Sequence, residues 1–156
     1  MIRTRPWIVT VPVIVLLGFA SGWLSNSGFG NPWFDALAKP SFMPPGWAFG
    51  VAWTILYILM GIAVAQVIAA DTPLRRLALH LFAIQLVLNL LWSPIFFAFH
   101  RSDIALVTIV VLTIFVAATI LLFRRVRRSA ALLMLPYLAW LLFATALNFA
   151  ILRLNG

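Results

Sequence analysis

Residues 39–61 read KPSFMPPGWAFGVAWTILYILMG, a proline-punctuated loop that turns without a further charge into a long apolar run. Pro40, Pro44 and Pro45 each remove a backbone donor and fix φ, so the loop is stiff. The run continues to Ala70, and Trp47–Ala70 is long enough to cross the ~30 Å hydrocarbon core of a bilayer as a helix. On that helix Phe49, Trp53, Tyr57 and Met60 fall within about 80° of one face at ~100° per residue, with Gly50, Thr54 and Gly61 as a small-residue stripe beside them. An aromatic wall next to a smooth surface, entered from a rigid loop, is one side of a ligand pocket. The same rings would also serve packing in an ordinary membrane helix.

The rest of the chain repeats this pattern. Of 156 residues 65% are hydrophobic and 9% charged, with mean hydropathy +1.12. Soluble domains carry about 25% charged residues, so the composition is that of a lipid-embedded protein. Five apolar segments emerge, at residues 7–24, 47–70, 77–99, 104–123 and 130–152, none containing Asp, Glu, Lys or Arg. Backbone groups in lipid must be satisfied internally, so the segments are helices. The expected fold is all-α: residues 1–156 form one integral membrane domain of five transmembrane helices. Pro12, Pro94 and Pro136 lie inside segments and should bend or break them locally. Gly18-x-x-x-Gly22 on the first segment would let another helix approach closely. Residues 25–46 are the only long connection. Trp33, Phe34, Leu37, Phe42 and Met43 argue that it is structured, with a short helical turn around 32–38, folded back over the bundle.

Orientation follows from the basic residues. Arg3, Arg5, Arg75, Arg76, Arg124, Arg125, Arg127 and Arg128 share one side, against Lys39, Arg101 and Arg153 on the other. This bias places the N-terminus in the cytoplasm, and the long loop and C-terminus outside.

Two further segments present polar groups on aromatic faces. Gln85, Asn89, Trp92 and Phe96 fall within about 60° of one helix face, and Tyr137, Trp140, Ala144 and Asn148 within about 80°. Amides are costly to expose to lipid, so these faces should point inward, toward assembly contacts or a ligand. Phe49, Trp53, Asn89, Trp92, Phe96 and Asn148 all fall in the same half of the bundle, under the long loop. An apolar cavity with a few convergent polar groups is what a hydrophobic ligand requires.

Other chemistries find little support. The chain has no cysteine, which excludes disulfides and thiolate chemistry. His80 and His100 have no ligand-spaced partners, so no metal site is expected. Asp35, Asp71 and Asp103 sit in separate loops and form no catalytic carboxylate pair. Ser and Thr hydroxyls lack a neighbouring base. The net charge of +8 is clustered between apolar segments, and the 124–128 cluster is expected to meet anionic headgroups rather than nucleic acid.

Three blocks of residues carry a resemblance. Lys39-Pro40, Pro44-Pro45, Trp47, Trp53-Thr54, Leu56-Tyr57 and Met60-Gly61 form the first. Gln85, Asn89, Trp92, Ser93, Pro94 and Phe96-Phe97 form the second. Pro136-Tyr137-Leu138, Trp140, Phe143-Ala144-Thr145 and Leu147-Asn148 form the third. Together they resemble the translocator protein family, also called the tryptophan-rich sensory proteins, which includes the mitochondrial peripheral benzodiazepine receptor. The resemblance implies a five-helix membrane protein, often a homodimer, that binds porphyrins and, in mitochondria, cholesterol and synthetic drugs. It implies a pocket under the first loop with Trp53, Tyr57, Asn89, Trp92, Trp140, Ala144 and Leu147 as ligand-binding residues. Some bacterial members are linked to light-dependent porphyrin breakdown, with Trp53 and Trp140 at the matching positions. The proposed sterol motif needs a Tyr between Leu/Val and Lys/Arg; here Leu147 and Arg153 flank Phe149, so sterol gains no support.

The expectation is therefore a multi-pass protein of the cell membrane that binds a porphyrin or similar tetrapyrrole as sensor, sink or carrier. The alternative is an enzyme degrading porphyrin photochemically. No cofactor is required, and porphyrin is the ligand. Lys39, Arg101 and Arg153 border the pocket helices and are expected at its rim, facing ligand carboxylates.

Overall fold

The structure, a computed structural model, describes residues 5–156. Arg3, one of the residues that argue the orientation, lies outside them. The elements are α1 (Trp7–Leu24), a short α2 (Pro32–Ala36), α3 (Gly46–Ile68), α4 (Arg75–Ser93), α5 (Ser102–Val126) and α6 (Arg128–Asn155). The protein is all-helical, and α1, α3, α4, α5 and α6 are long and apolar enough to span a membrane. α5 and α6 run several residues beyond the apolar stretches at 104–123 and 130–152. Arg, Leu and Asn near their ends can stay helical outside the hydrocarbon, so hydropathy marks the buried length rather than the helix end.

The helices pack in the order α1, α3, α6, α5, α4, and α4 returns to touch α3 and α1, closing the ring. Met60, Ala63, Val67, Phe123, Met134 and Leu141 fill the centre. α1 and α3 meet at backbone distance where Gly61 faces Val11: a Cβ on Gly61 would lie 2.6 Å from the Val11 Cα. The Thr10 hydroxyl donates to the Gly61 carbonyl at 2.7 Å. Gly18, further along α1, lies under the Tyr57 ring with no room for a Cβ.

The three internal prolines behave differently. Pro12 and Pro136 sit within uninterrupted helices. Pro94 ends the α-helical part of α4 and begins a π-helical turn, Pro94–Ala98, closed by Phe99 N donating to Pro94 O at 2.9 Å. Proline at position 94 has no N–H for the Leu90 carbonyl four residues back. The Ser21 hydroxyl of α1 donates to that carbonyl instead, at 2.6 Å.

The 25–45 connection is ordered by its own chemistry. Asn31 caps α2, its Oδ1 accepting from Trp33 N at 3.0 Å and Phe34 N at 3.3 Å, with Pro32 at the first helical position. Its Nδ2 donates to Asn26 O at 3.0 Å and to Phe97 O on the π-helical turn at 3.1 Å. Phe34 plugs the loop into the bundle, edge-on to Phe29 and Phe97, each at 5.2 Å. Trp33 stacks on His100 at 4.5 Å with the planes 7° apart. At the far end of the loop, Ala38 N donates to Asn155 Oδ1 at 2.9 Å and Asn155 Nδ2 donates to Ala38 O at 2.8 Å. The last turn of α6 thus straps the loop down. The bundle therefore has a loop end and, opposite it, an arginine end holding Arg5, Arg75, Arg76 and Arg124–Arg128.

Candidate functional site

Under the loop lies a cavity of about 710 Å³, within the ~300–1,000 Å³ range of small-molecule sites. α3 contributes Phe49, Gly50, Trp53 and Tyr57; α4 and its π-helical turn contribute Asn89, Trp92, Ser93, Phe96 and Phe97; α6 contributes Trp140, Leu141, Ala144, Leu147, Asn148 and Ile151. The loop supplies Phe29, Phe34 and Met43 as roof. Among its lining residues there is no carboxylate, imidazole, ammonium or guanidinium group.

The aromatic wall is a connected set. Trp140 meets Phe49 edge-on at 5.9 Å and Trp53 edge-on at 6.3 Å, and Trp53 stacks on Tyr57 at 5.3 Å. On the opposite side Trp92 stacks on Phe96 at 5.0 Å. Edge-to-face and offset contacts at these separations hold rings in fixed orientations.

Several polar groups around the cavity are already committed. The Tyr57 hydroxyl donates to Asn89 Oδ1 at 3.0 Å, Asn89 Nδ2 donates to the Tyr137 hydroxyl at 2.7 Å, and that hydroxyl donates to Gln85 Oε1 at 2.9 Å. This chain ties α3, α4 and α6 together beneath the cavity floor. Trp92 Nε1 donates to Asn148 Oδ1 at 3.1 Å, while Asn148 Nδ2 donates to Ser102 O at 2.9 Å. Trp140 Nε1 is not committed: among the described residues it is the one buried side-chain polar atom without a partner. A buried donor left unpaired costs about 1–3 kcal/mol, which an acceptor on a bound molecule would recover.

Ten of the eleven residues expected at the ligand line the cavity: Phe49, Trp53, Tyr57, Asn89, Trp92, Phe96, Trp140, Ala144, Leu147 and Asn148. Tyr137 does not. It is wholly buried and holds the floor network, because helical angle places it on the right face but one turn too deep.

The rim cations require a correction: none of the three lines the cavity. The Lys39 ammonium turns into the loop, donating to Phe34 O at 2.8 Å, Leu37 O at 3.0 Å and Asp35 O at 3.3 Å. It thereby satisfies the carbonyls at the end of α2 and lies 4.7 Å over the Phe34 ring. Arg101 forms a two-pronged pair with Asp103 at 3.0 and 2.9 Å. Arg153 lies against the Phe149 ring, 5.8 Å from its centroid. Each is engaged by a local partner.

The largest addition is α1, which lines the cavity with Gly18, Phe19, Ser21, Gly22 and Trp23. The sequence marked this helix only by Gly18-x-x-x-Gly22, read as a site of close helix approach. The structure divides that motif: Gly18 packs on Tyr57 of α3, while Gly22 lies against the loop, its would-be Cβ 2.9 Å from Ser27 Oγ. Ile109 and Leu112 of α5 close the far side.

Fold and site together define a multi-pass helical membrane protein with a roofed, uncharged aromatic cavity in one half of its depth. The comparisons agree over nearly the whole length. The TspO/MBR family profile matches residues 9–154. The chain is 42% identical over 153 residues to the tryptophan-rich protein TspO of Chlorobaculum tepidum, covering 95% of this chain and 97% of that protein. It is 45% identical over 125 residues to protein CrtK of Rhodobacter capsulatus, covering 79% and 78% respectively. It is 36% identical over 155 residues to the human translocator protein, covering 96% and 92%. The chain belongs to the TspO/MBR family.

Proposed function

We propose that this protein is a membrane-embedded binding protein for a porphyrin or related tetrapyrrole, serving as sensor, sink or carrier. The observation that carries this reading is the uncharged aromatic cavity, with the Trp140 indole N–H buried and unpaired at its wall. Flat apolar macrocycles stack on such walls, and a ligand acceptor near Trp140 would satisfy the unpaired donor. The names of relatives as sensory and translocator proteins are in keeping with binding rather than turnover. So is the absence of any acid, base or strong nucleophile among the lining residues.

A second reading, light-dependent breakdown of the bound porphyrin, draws on the Trp53–Trp140 pair, two indoles 6.3 Å apart that both line the cavity. One experiment serves both. Purified protein is titrated with protoporphyrin in the dark, following quenching of tryptophan fluorescence, and the complex is then illuminated while porphyrin absorbance is recorded. Saturable binding with an absorbance stable beyond that of free porphyrin supports the binding protein. Loss of absorbance that requires Trp53 and Trp140 supports the second reading. Absence of saturable binding sinks both.

A further inference from the structure

We infer that the cavity exchanges its occupant with the bilayer, through a cleft between the loop-end halves of α1 and α3, and not with water through the loop. The inference rests on the proposed apolar ligand and adds the phase from which that ligand comes. α1 and α3 are antiparallel neighbours joined at the arginine end by the Gly61–Val11 backbone contact and the Thr10 hydrogen bond. Midway, Gly18 still packs under Tyr57. Nearer the loop, α3 presents a bare surface at Gly50. A Cβ added at Gly50 would find nothing within 4 Å, and Gly50 both lines the cavity and is exposed. Opposite it, Phe19 and Trp23 also line the cavity while remaining 46% and 82% exposed. A wall whose residues face the cavity and the surroundings at once is breached there. These residues belong to membrane-spanning helices, so what lies outside the breach is lipid.

The loop is fastened rather than sealed: Asn26, Ser27 and Phe29 at its α1 end line the cavity and are exposed too, but beyond them it is tied down. Phe34 is 4% exposed and Asn31 5%. Asn31 ties the loop to Phe97 O, and Asn155 ties its other end by two hydrogen bonds. An apolar ligand concentrated in the bilayer would meet an opening on its own side and a fastened roof on the other.

The test measures stopped-flow exchange of protoporphyrin between donor vesicles and the full-length protein in acceptor vesicles. Gly50→Leu places a side chain in open space, so the fold should survive, checked by its melting curve. Uptake and release should slow together, on the order of tenfold, because a barrier has been added to a path common to both. Gly50→Ala should slow them less. In parallel, Ala38→Cys with Asn155→Cys, joined by a short bis-maleimide in a chain with no native cysteine, fastens the loop and should leave both rates unchanged. Exchange blocked by the fastened loop, or unaffected by Gly50→Leu, overturns the inference. If the wild type shows no saturable porphyrin binding, the proposed function fails separately. The cleft is then read from the reaction of Ser93→Cys, inside the cavity, with a long-chain alkyl maleimide. That reaction should be slower in the Gly50→Leu background, and equal rates would refute the cleft.

Discussion

Ser21 and Pro94 show how a single residue on one helix can complete another. Pro94 opens α4 into its π-helical turn and leaves the Leu90 carbonyl to the Ser21 hydroxyl at 2.6 Å. Leaving a buried acceptor unpaired costs about 1–3 kcal/mol. Ser21→Ala should therefore lower the unfolding free energy by about 1 kcal/mol or more in the Pro94 background. In the Pro94→Ala background, where a backbone N–H is restored for Leu90, the same change should cost far less. A double-mutant cycle by denaturant titration in detergent measures the difference, and equal losses would show that Ser21 does not serve that carbonyl. Trp53 tests the other residue-scale claim. Aromatic stacking contributes about 1–3 kcal/mol per contact in the analogous nucleic-acid case, so Trp53→Ala should weaken porphyrin binding tenfold or more while the melting temperature moves little. Retained binding with a collapsed melting temperature would make Trp53 a packing residue.

At the scale of elements, the loop between α1 and α3 behaves as a fastened roof. Its two straps are side-chain amides, Asn31 to Phe97 O and Asn155 to the backbone of Ala38. Asn155→Ala should release only the second. Losing about 1.4 kcal/mol of local stability is tenfold in an opening equilibrium, so amide exchange across residues 36–42 should quicken by about that factor. Protection in α3 and α6 should stay as it was. Hydrogen–deuterium exchange read by mass spectrometry is the measurement, and unchanged exchange at 36–42 would mean the strap is idle.

Neither strap was legible beforehand, because the partner of each amide is a main-chain group, which leaves no trace in side-chain pattern. The faces carrying Phe49 and Trp53, Asn89 and Trp92, and Trp140 and Asn148 were legible because polar or aromatic residues recur at helical spacing on apolar runs. Depth was not, which is why Tyr137 was expected in the cavity rather than beneath it. Lys39, Arg101 and Arg153 were assigned to the loop end by counting segments, but their partners were set by the local geometry of α2, the α4–α5 turn and α6.

For the whole molecule, the distribution of arginine argues an orientation. Arg5, Arg75, Arg76 and Arg124–Arg128 gather at one end, and that end is proposed to face the cytoplasm, leaving the roofed cavity in the outer half. With no native cysteine to interfere, Ser27→Cys and Ser129→Cys report directly. An impermeant maleimide on intact spheroplasts should label the first and spare the second. The reverse pattern would invert the assignment and put the cavity toward the cell interior.

The unequal lengths of the helices bear on how the protein sits in different membranes. α1 has 18 residues against 25 in α5 and 28 in α6, about 27 Å against roughly 38 and 42 Å at 1.5 Å per residue. It is the span that a thick bilayer stretches first, and it is held to α3 at the Gly61–Val11 and Gly18–Tyr57 contacts, away from the loop end. Thicker hydrocarbon should draw α1 upright and thinner hydrocarbon should let it lean, since mismatch is relieved by tilt. Lipid chain length would then set how far the two helices part. Porphyrin exchange measured in vesicles of 14-, 18- and 22-carbon monounsaturated lipids should change steadily with chain length in the wild type and flatten in Gly50→Leu. A membrane's thickness would in this way become an input to the protein, read mechanically through its shortest membrane-spanning helix.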